Sequence, residues 1–225
     1  MDVMEARRKI LANTGLFVPP EYDEYEFLQT IGYDARIDTG IAGNDSTLEL
    51  DFTLKAVDLR SYHIVIGNYV NENTKCFRVL QSVSTVPRVW LFTANKRRAG
   101  ASTIIYAVSG TTGSIANAKV HFHMTSGRCM TECEDGTTRD ITETDDGTTA
   151  ISTLNLAIGA PSPVFTGLET RVRFYGPFKI WRSGKLVRNY VPVSRKSDSK
   201  TGYFDTVNCT FNPSIGTKDF IAGND

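Results

Sequence analysis

Apolar and polar positions alternate with period two over much of this chain. Residues 47–55 set Leu48, Leu50, Phe52 and Leu54 against Glu49, Asp51, Thr53 and Lys55. That is the pattern of a strand with one face in the core and one in water. Residues 119–125 repeat it, with Val120, Phe122 and Met124 inward and His121 and His123 outward. Further strands are predicted at 62–66, 76–81, 88–93, 103–108, 151–158, 170–175, 179–182, 190–193 and 203–205. Turns rich in Gly, Ser, Asp and Pro separate many of these runs. So many short strands point to an all-β jelly roll or a related sandwich. Residues 131–149, rich in Asp, Thr and Gly, read as an exposed loop or a polar hairpin.

Residues 3–12 carry the one convincing helical pattern. Val3, Arg7 and Ile10 share a side, Asp2 can cap the start and Gly15 can end it. A helix this short is marginal unless it docks on something. Pro19-Pro20 then breaks the chain stiffly. The expected organisation is a helical arm at 1–20 and a single β-sandwich domain at 21–225. The arm serves either for attachment to a larger assembly or as a cap on one end of the sandwich. A chain of 225 residues can bury a core without disulfides. Cys76, Cys129, Cys133 and Cys209 are therefore expected to be mostly free thiols.

Charge removes several partner classes. Lys plus Arg and Asp plus Glu are 25 each, so no global field favours nucleic acid or an anionic membrane. No run is long and apolar enough to span a bilayer, and the first residues lack a signal-peptide pattern. A protein made in the cytosol, or released by lysis with a particle, is the expectation. Locally the charge is uneven. Residues 128–146 hold seven acidic groups against two arginines, and residues 171–200 hold nine Lys or Arg against Asp198. These segments are expected to neutralise each other across the fold, or to dock between copies in a homo-oligomer, with a trimer as the candidate state. Asn44 and Asn208 sit in glycosylation-like triplets that mean little without secretion.

Candidate chemistry is sparse. Glycoside hydrolysis needs two carboxylates at a fixed separation. Glu49 and Asp51 form the nearest pair, but a wet strand face alone accounts for them, and Glu132 and Glu134, which share a face if extended, are expected in a mobile acidic loop. His121 and His123 could begin a zinc site with His63, Cys129 or Cys133. By composition alone, Asp34, Asp38, Asp145 and Asp146 are the candidate calcium ligands, since that hard cation takes carboxylate oxygens. Residues 109–114 are glycine-rich but lack the lysine of a phosphate loop. No catalytic and no cofactor-binding residue is assigned, no cofactor is expected, and the presence of a metal is left open.

The two ends of the chain carry a resemblance. Residues 186–192 read LVRNYVP, and Arg195, Lys196, Ser197, Asp198, Lys200, Gly202, Tyr203, Asp205, Val207, Phe211 and Gly223 follow in order. Near the front, Phe27 to Thr30 is followed by Gly32 and then by Ile37, Asp38, Thr39 and Gly40. Both stretches resemble the concanavalin A-like, or laminin G-like, β-sandwich domains of gut bacterial surface proteins and gut phage virion proteins. The usual Ser-Asp-Gly turn is Ser197-Asp198-Ser199 here. The resemblance implies a jelly-roll sandwich of two antiparallel sheets, with the tail motif acting as architecture rather than as a ligand site. It implies a non-catalytic phage virion module (head-fibre, capsid-decoration or tail-associated) with glycan contact. Its partners would be other virion proteins, reached through the N-terminal arm. The alternative is a carbohydrate- or protein-binding adhesion module on a bacterial cell surface, and a glycoside hydrolase ranks last.

Overall fold

A half-wet strand buries only one face and needs a second layer to cover it. The strands of this chain meet that need with two sheets. The computed structural model describes residues 17–31, 34–58, 63–68, 74, 76–82, 89–96, 103–107, 118–125, 127–142, 149–159 and 171–225. In chain order its strands are β1 Tyr22–Glu24, β2 Phe27–Gln29, β3 Arg36–Ala42, β4 Leu48–Asp58, β5 His63–Gly67 and β6 Cys76–Ser82. Next come β7 Val89–Lys96, β8 Thr103–Ala107, β9 Lys119–Thr125, β10 Arg128–Cys133, β11 Thr138–Thr142 and β12 Asn155–Gly159. The last are β13 Arg171–Arg182, β14 Lys185–Arg195, β15 Thr201–Asp205, β16 Thr210–Pro213 and β17 Ile221–Gly223.

The larger sheet has eleven strands, in the order β11-β10-β9-β4-β13-β14-β15-β16, with β2 beside β13, β17 beside β2 and β1 beside β14. The smaller runs β3-β12-β5-β6-β7-β8. The expectation of an all-β protein with two sheets is met. The larger sheet goes beyond the roughly eight strands of a simple jelly roll. The expected helix at 3–12 lies outside the described residues.

Alternation gives the two sheets one shared core. Leu50, Phe52, Phe122, Phe174, Phe178 and Ile180 from the larger sheet form one buried cluster with Ile37, Val65, Ile66, Phe77, Val79, Leu156 and Ile158 from the smaller. At its centre the Phe52 ring stacks on Phe122 at 5.0 Å and on Phe178 at 4.9 Å. Each such side chain contributes about 1.5–3 kcal/mol through burial.

Three readings of the sequence meet the structure here. The runs 170–175 and 179–182 are one strand, β13, whose register against β4 shifts between Tyr175 and Lys179. Of the two readings of segment 131–149, loop or polar hairpin, its described part takes the hairpin, formed by β10 and β11. Its turn is built on Asp135 and Gly136: the Thr137 amide donates to Asp135 Oδ1 at 2.8 Å, and Gly136 sits at φ 80°. Third, the described ion pairs do not join the acidic and basic segments. Arg182 pairs with Asp45, Arg188 with Asp205, Arg195 with Asp198 and Lys196 with Asp23, while Asp140 pairs with Arg128 in its own hairpin. These contacts lend no support to an electrostatic seam between copies. All four cysteines are free, and only Cys209 is exposed.

The front and tail motifs interlock. β17 pairs with β2, and β2 pairs with β13, so the front motif and the end of the tail motif lie side by side. Arg188 on β14 reaches the other sheet and donates from Nη2 to the carbonyl of Thr39 on β3 at 3.0 Å. Gly202 explains its own identity, since a Cβ there would stand 2.4 Å from the Asn212 carbonyl oxygen. Ser199 takes a φ of 56°, the left-handed conformation that glycine adopts at least cost. The motif thus works as architecture.

Candidate functional site

Cross-strand register decides which wet-face side chains become neighbours on the larger sheet. Asp51 on β4 stands opposite His123 on β9 and Lys179 on β13. His123 in turn faces Met130 on β10, and Met130 faces Asp140 on β11. The next row runs Tyr175, Thr53, His121, Glu132 and Thr138 across the same five strands. On the other side of the Asp51 row, Trp181 stands opposite Glu49.

Two imidazoles share one carboxylate there. Asp51 Oδ2 lies 3.3 Å from His121 Nε2 and 3.7 Å from His123 Nδ1. His123 Nε2 lies 3.6 Å from Glu49 Oε1, and His121 Nδ1 lies 3.2 Å from Thr53 Oγ1. The hydrogen bond from His121 holds the Asp51 carboxyl below its ordinary value, against the opposing effect of burial. The same bond raises His121 above its ordinary 6.5, again against burial. Beside these groups, along β10 and β11, lies a groove of about 560 Å³. Asp51, His121 and His123 line it, together with Met130, Glu132 and Arg139.

The pair carries a defined pH dependence. A raised imidazole stabilises the fold fully below its unfolded value and loses that contribution as pH rises through its folded value. A lowered carboxyl contributes above its unfolded value and loses it as pH falls through the folded one. The charged pair is therefore complete between about pH 3.8 and pH 6.5. The melting-temperature difference between the native protein and His121→Gln is expected to be largest in that window. It should shrink as pH is raised past the His121 value, and a difference constant from pH 5 to pH 9 would contradict the pairing.

The sequence candidates separate clearly. Glu49, Asp51, His121 and His123 come together as expected for one wet face. Cys129 and Cys133 are on β10 but buried toward the core, away from the histidines, and His63 belongs to β5 in the other sheet. Among the described residues, no three His, Cys, Asp or Glu side chains are grouped to hold a metal ion. Asp34 accepts from the Thr217 amide at 2.6 Å, and Asp38 accepts from the Gly40 amide at 2.8 Å and from Asn155 Nδ2 at 3.2 Å. Asp145 and Asp146 lie outside the described residues. Glu132 corrects the sequence reading: it sits on a strand, opposite His121, and not in a loop. Arg139 and Asp140 were not singled out from sequence. The signal was present in the Asp135-Gly136 pair, a strong hairpin cue that places strands on both sides of it.

No protein family and no curated protein matches the chain. Solved structures show distant likenesses. An alginate lyase A1-II' double-cysteine variant has a TM-score of 0.37 at 16% identity, over 65% of this chain and 66% of that one, just short of two thirds. A family 7 alginate lyase A1-II' variant in complex with product scores 0.41 at 15% identity, over 76% and 88%. A heptameric SAP-like pentraxin from Limulus polyphemus scores 0.30 at 10% identity, over 93% and 89%. At these scores the likenesses give the site no role, and its reading rests on the residues themselves.

Proposed function

We propose that this chain is a non-catalytic module that contacts a glycan on the wet face of its larger sheet. The observation that carries the reading is the groove over β4, β9, β10 and β11. Its volume suits a small sugar segment. Carboxylates, imidazoles and a guanidinium supply the planar donors and acceptors that sugar hydroxyls need, and Met130 offers an apolar surface for a ring face. Trp181, half-buried on the same face, supplies an aromatic surface one row away. The non-catalytic part is supported by Asp51, whose carboxyl His121 lowers, which unfits it for the protonated acid of glycoside cleavage.

The setting we propose is a phage virion, with the module in a head fibre, in capsid decoration or at the tail. Its support is the tail resemblance over residues 186–223. The adhesion module of a gut bacterium is the alternative, and the same groove would serve it. Sedimentation with purified particles separates the two. The binding reading is tested on a glycan array followed by calorimetry. Asp51→Asn is expected to weaken the best binder by about 1.5–3 kcal/mol, roughly ten- to a hundredfold. The same glycan, incubated with native protein, should remain intact. Cleavage that disappears in the Glu49→Gln, Asp51→Asn double variant would reverse the non-catalytic conclusion.

A further inference from the structure

The wet face carries a cationic row next to the groove. Arg173, Lys55 and Lys119 stand opposite one another on β13, β4 and β9. Lys119 precedes His121 by two residues, which sets the row roughly 7 Å along the strand from the groove. Like charges directly opposite on neighbouring strands destabilise a sheet unless an anion lies among them. Here that anion is the side chain of Asp225. Arg173 Nη1 donates to Oδ1 at 2.5 Å, Tyr175 Oη donates to Oδ2 at 2.8 Å, and Lys119 Nζ lies 2.8 Å from Oδ2.

The donors are fixed from below. Lys119 lies 4.2 Å over the Tyr175 ring, Arg173 lies 4.2 Å over the Phe27 ring, and the two rings meet at 5.5 Å. Cation–π contacts of this kind hold long side chains in one geometry before a ligand arrives. The hydrogen bonds from Lys119 and Tyr175 lower the Asp225 carboxyl to about 2. Burial, then the Asp225 contact, pushes the Tyr175 phenol up to about 12. Arg173, Lys55 and Lys119 face this one carboxylate, and Glu26 approaches only its backbone, accepting from the Asp225 amide at 3.3 Å.

The geometry points to a sugar-carboxylate subsite on Arg173, Tyr175 and Lys119, which Asp225 occupies as an intramolecular competitor. The inference rests on the glycan reading of this face and narrows it to acidic glycans. A chain of sugars lying along the strands, with one ring over His121, brings the carboxylate of a neighbouring unit onto these three donors. Asp225 then leaves with Asn224, whose only described tie to β2's approach is the bond that Glu26 N donates to its Oδ1 at 2.9 Å. The ligand class is a sugar bearing a carboxylate, whether a uronic or a sialic acid.

The test is calorimetry on the full chain with three probes: an oligogalacturonate, its carboxyl-reduced neutral counterpart, and sialyllactose. The native protein should bind an acidic probe about tenfold more tightly than the neutral one, a difference of about 1.4 kcal/mol. Asp225→Asn removes the competitor and should tighten acidic binding several-fold, leaving neutral binding unchanged. Arg173→Gln should erase the preference and keep the neutral affinity. Which acidic probe gains identifies the sugar. Equal affinity for acidic and neutral probes in both native protein and Asp225→Asn overturns the carboxylate subsite while leaving glycan binding standing. Loss of binding to every glycan overturns the underlying reading as well. Should Arg173→Gln unfold, the Asp225→Asn comparison decides alone.

Discussion

Replacing Asp205 by Ala is expected to destabilise the protein by about 3–5 kcal/mol, the cost of leaving buried charge and donors unpaired. The carboxylate is 1% exposed. Its Oδ1 accepts from the amides of Asn189 and Val207 at 3.1 Å each, and its Oδ2 accepts from Asn208 Nδ2 at 2.6 Å. Arg188 Nε approaches to 3.6 Å. Removing the carboxylate strands the Asn189 and Val207 amides and takes the counter-charge from Arg188, the arginine that ties β14 to Thr39 on the other sheet. Urea unfolding measures the loss directly. A drop in melting temperature of roughly 6–20 °C is the thermal counterpart for a chain of this size. Asp205→Ala with an unchanged midpoint would mean that the tail motif does not hold the two sheets together.

Phe178→Ala is expected to cost about as much, 3–5 kcal/mol, by a different mechanism. The side chain is fully buried and stacks on Phe52, which stacks on Phe122. Truncation opens a cavity at the centre of the larger sheet's inner face, beside Tyr190. Phe178→Leu refills much of that volume and should lose distinctly less. Equal losses for the two variants, measured by the same unfolding experiment, would show that the ring stack rather than the filled volume dominates.

Much of the fold was legible because period two is a local property. The alternation in residues 47–55 and 119–125 fixed which side chains face the core, and β4 and β9 obey it at every described position. The ordered tail motif anticipated an architectural role, which Asp205, Gly202 and Arg188 fill. The hairpin of β10 and β11 was half legible, because its polar composition masked the alternation of Cys129, Thr131 and Cys133 against Met130 and Glu132. The two-residue offset inside β13 reads in the sequence as a break between two strands, since Gly176-Pro177 interrupts the hydrophobic pattern there and the continuity of the strand shows only in its pairing with β4.

The sequence by itself determined faces: Glu49, Asp51, His121 and His123 had to look outward once their neighbours looked in. It could not determine who stands beside whom. Thr53 and His121 touch across a separation of 68 residues, and Tyr175 and Asp225 across 50. Strand order and register set those meetings, and both come from the packing of the whole core rather than from any window of the chain. That is why the single-strand pairs Glu49 with Asp51 and His121 with His123 were visible early. The shared carboxylate between two imidazoles, the groove along the hairpin and the platform beneath Asp225 exist only once β13, β4, β9 and β10 lie side by side.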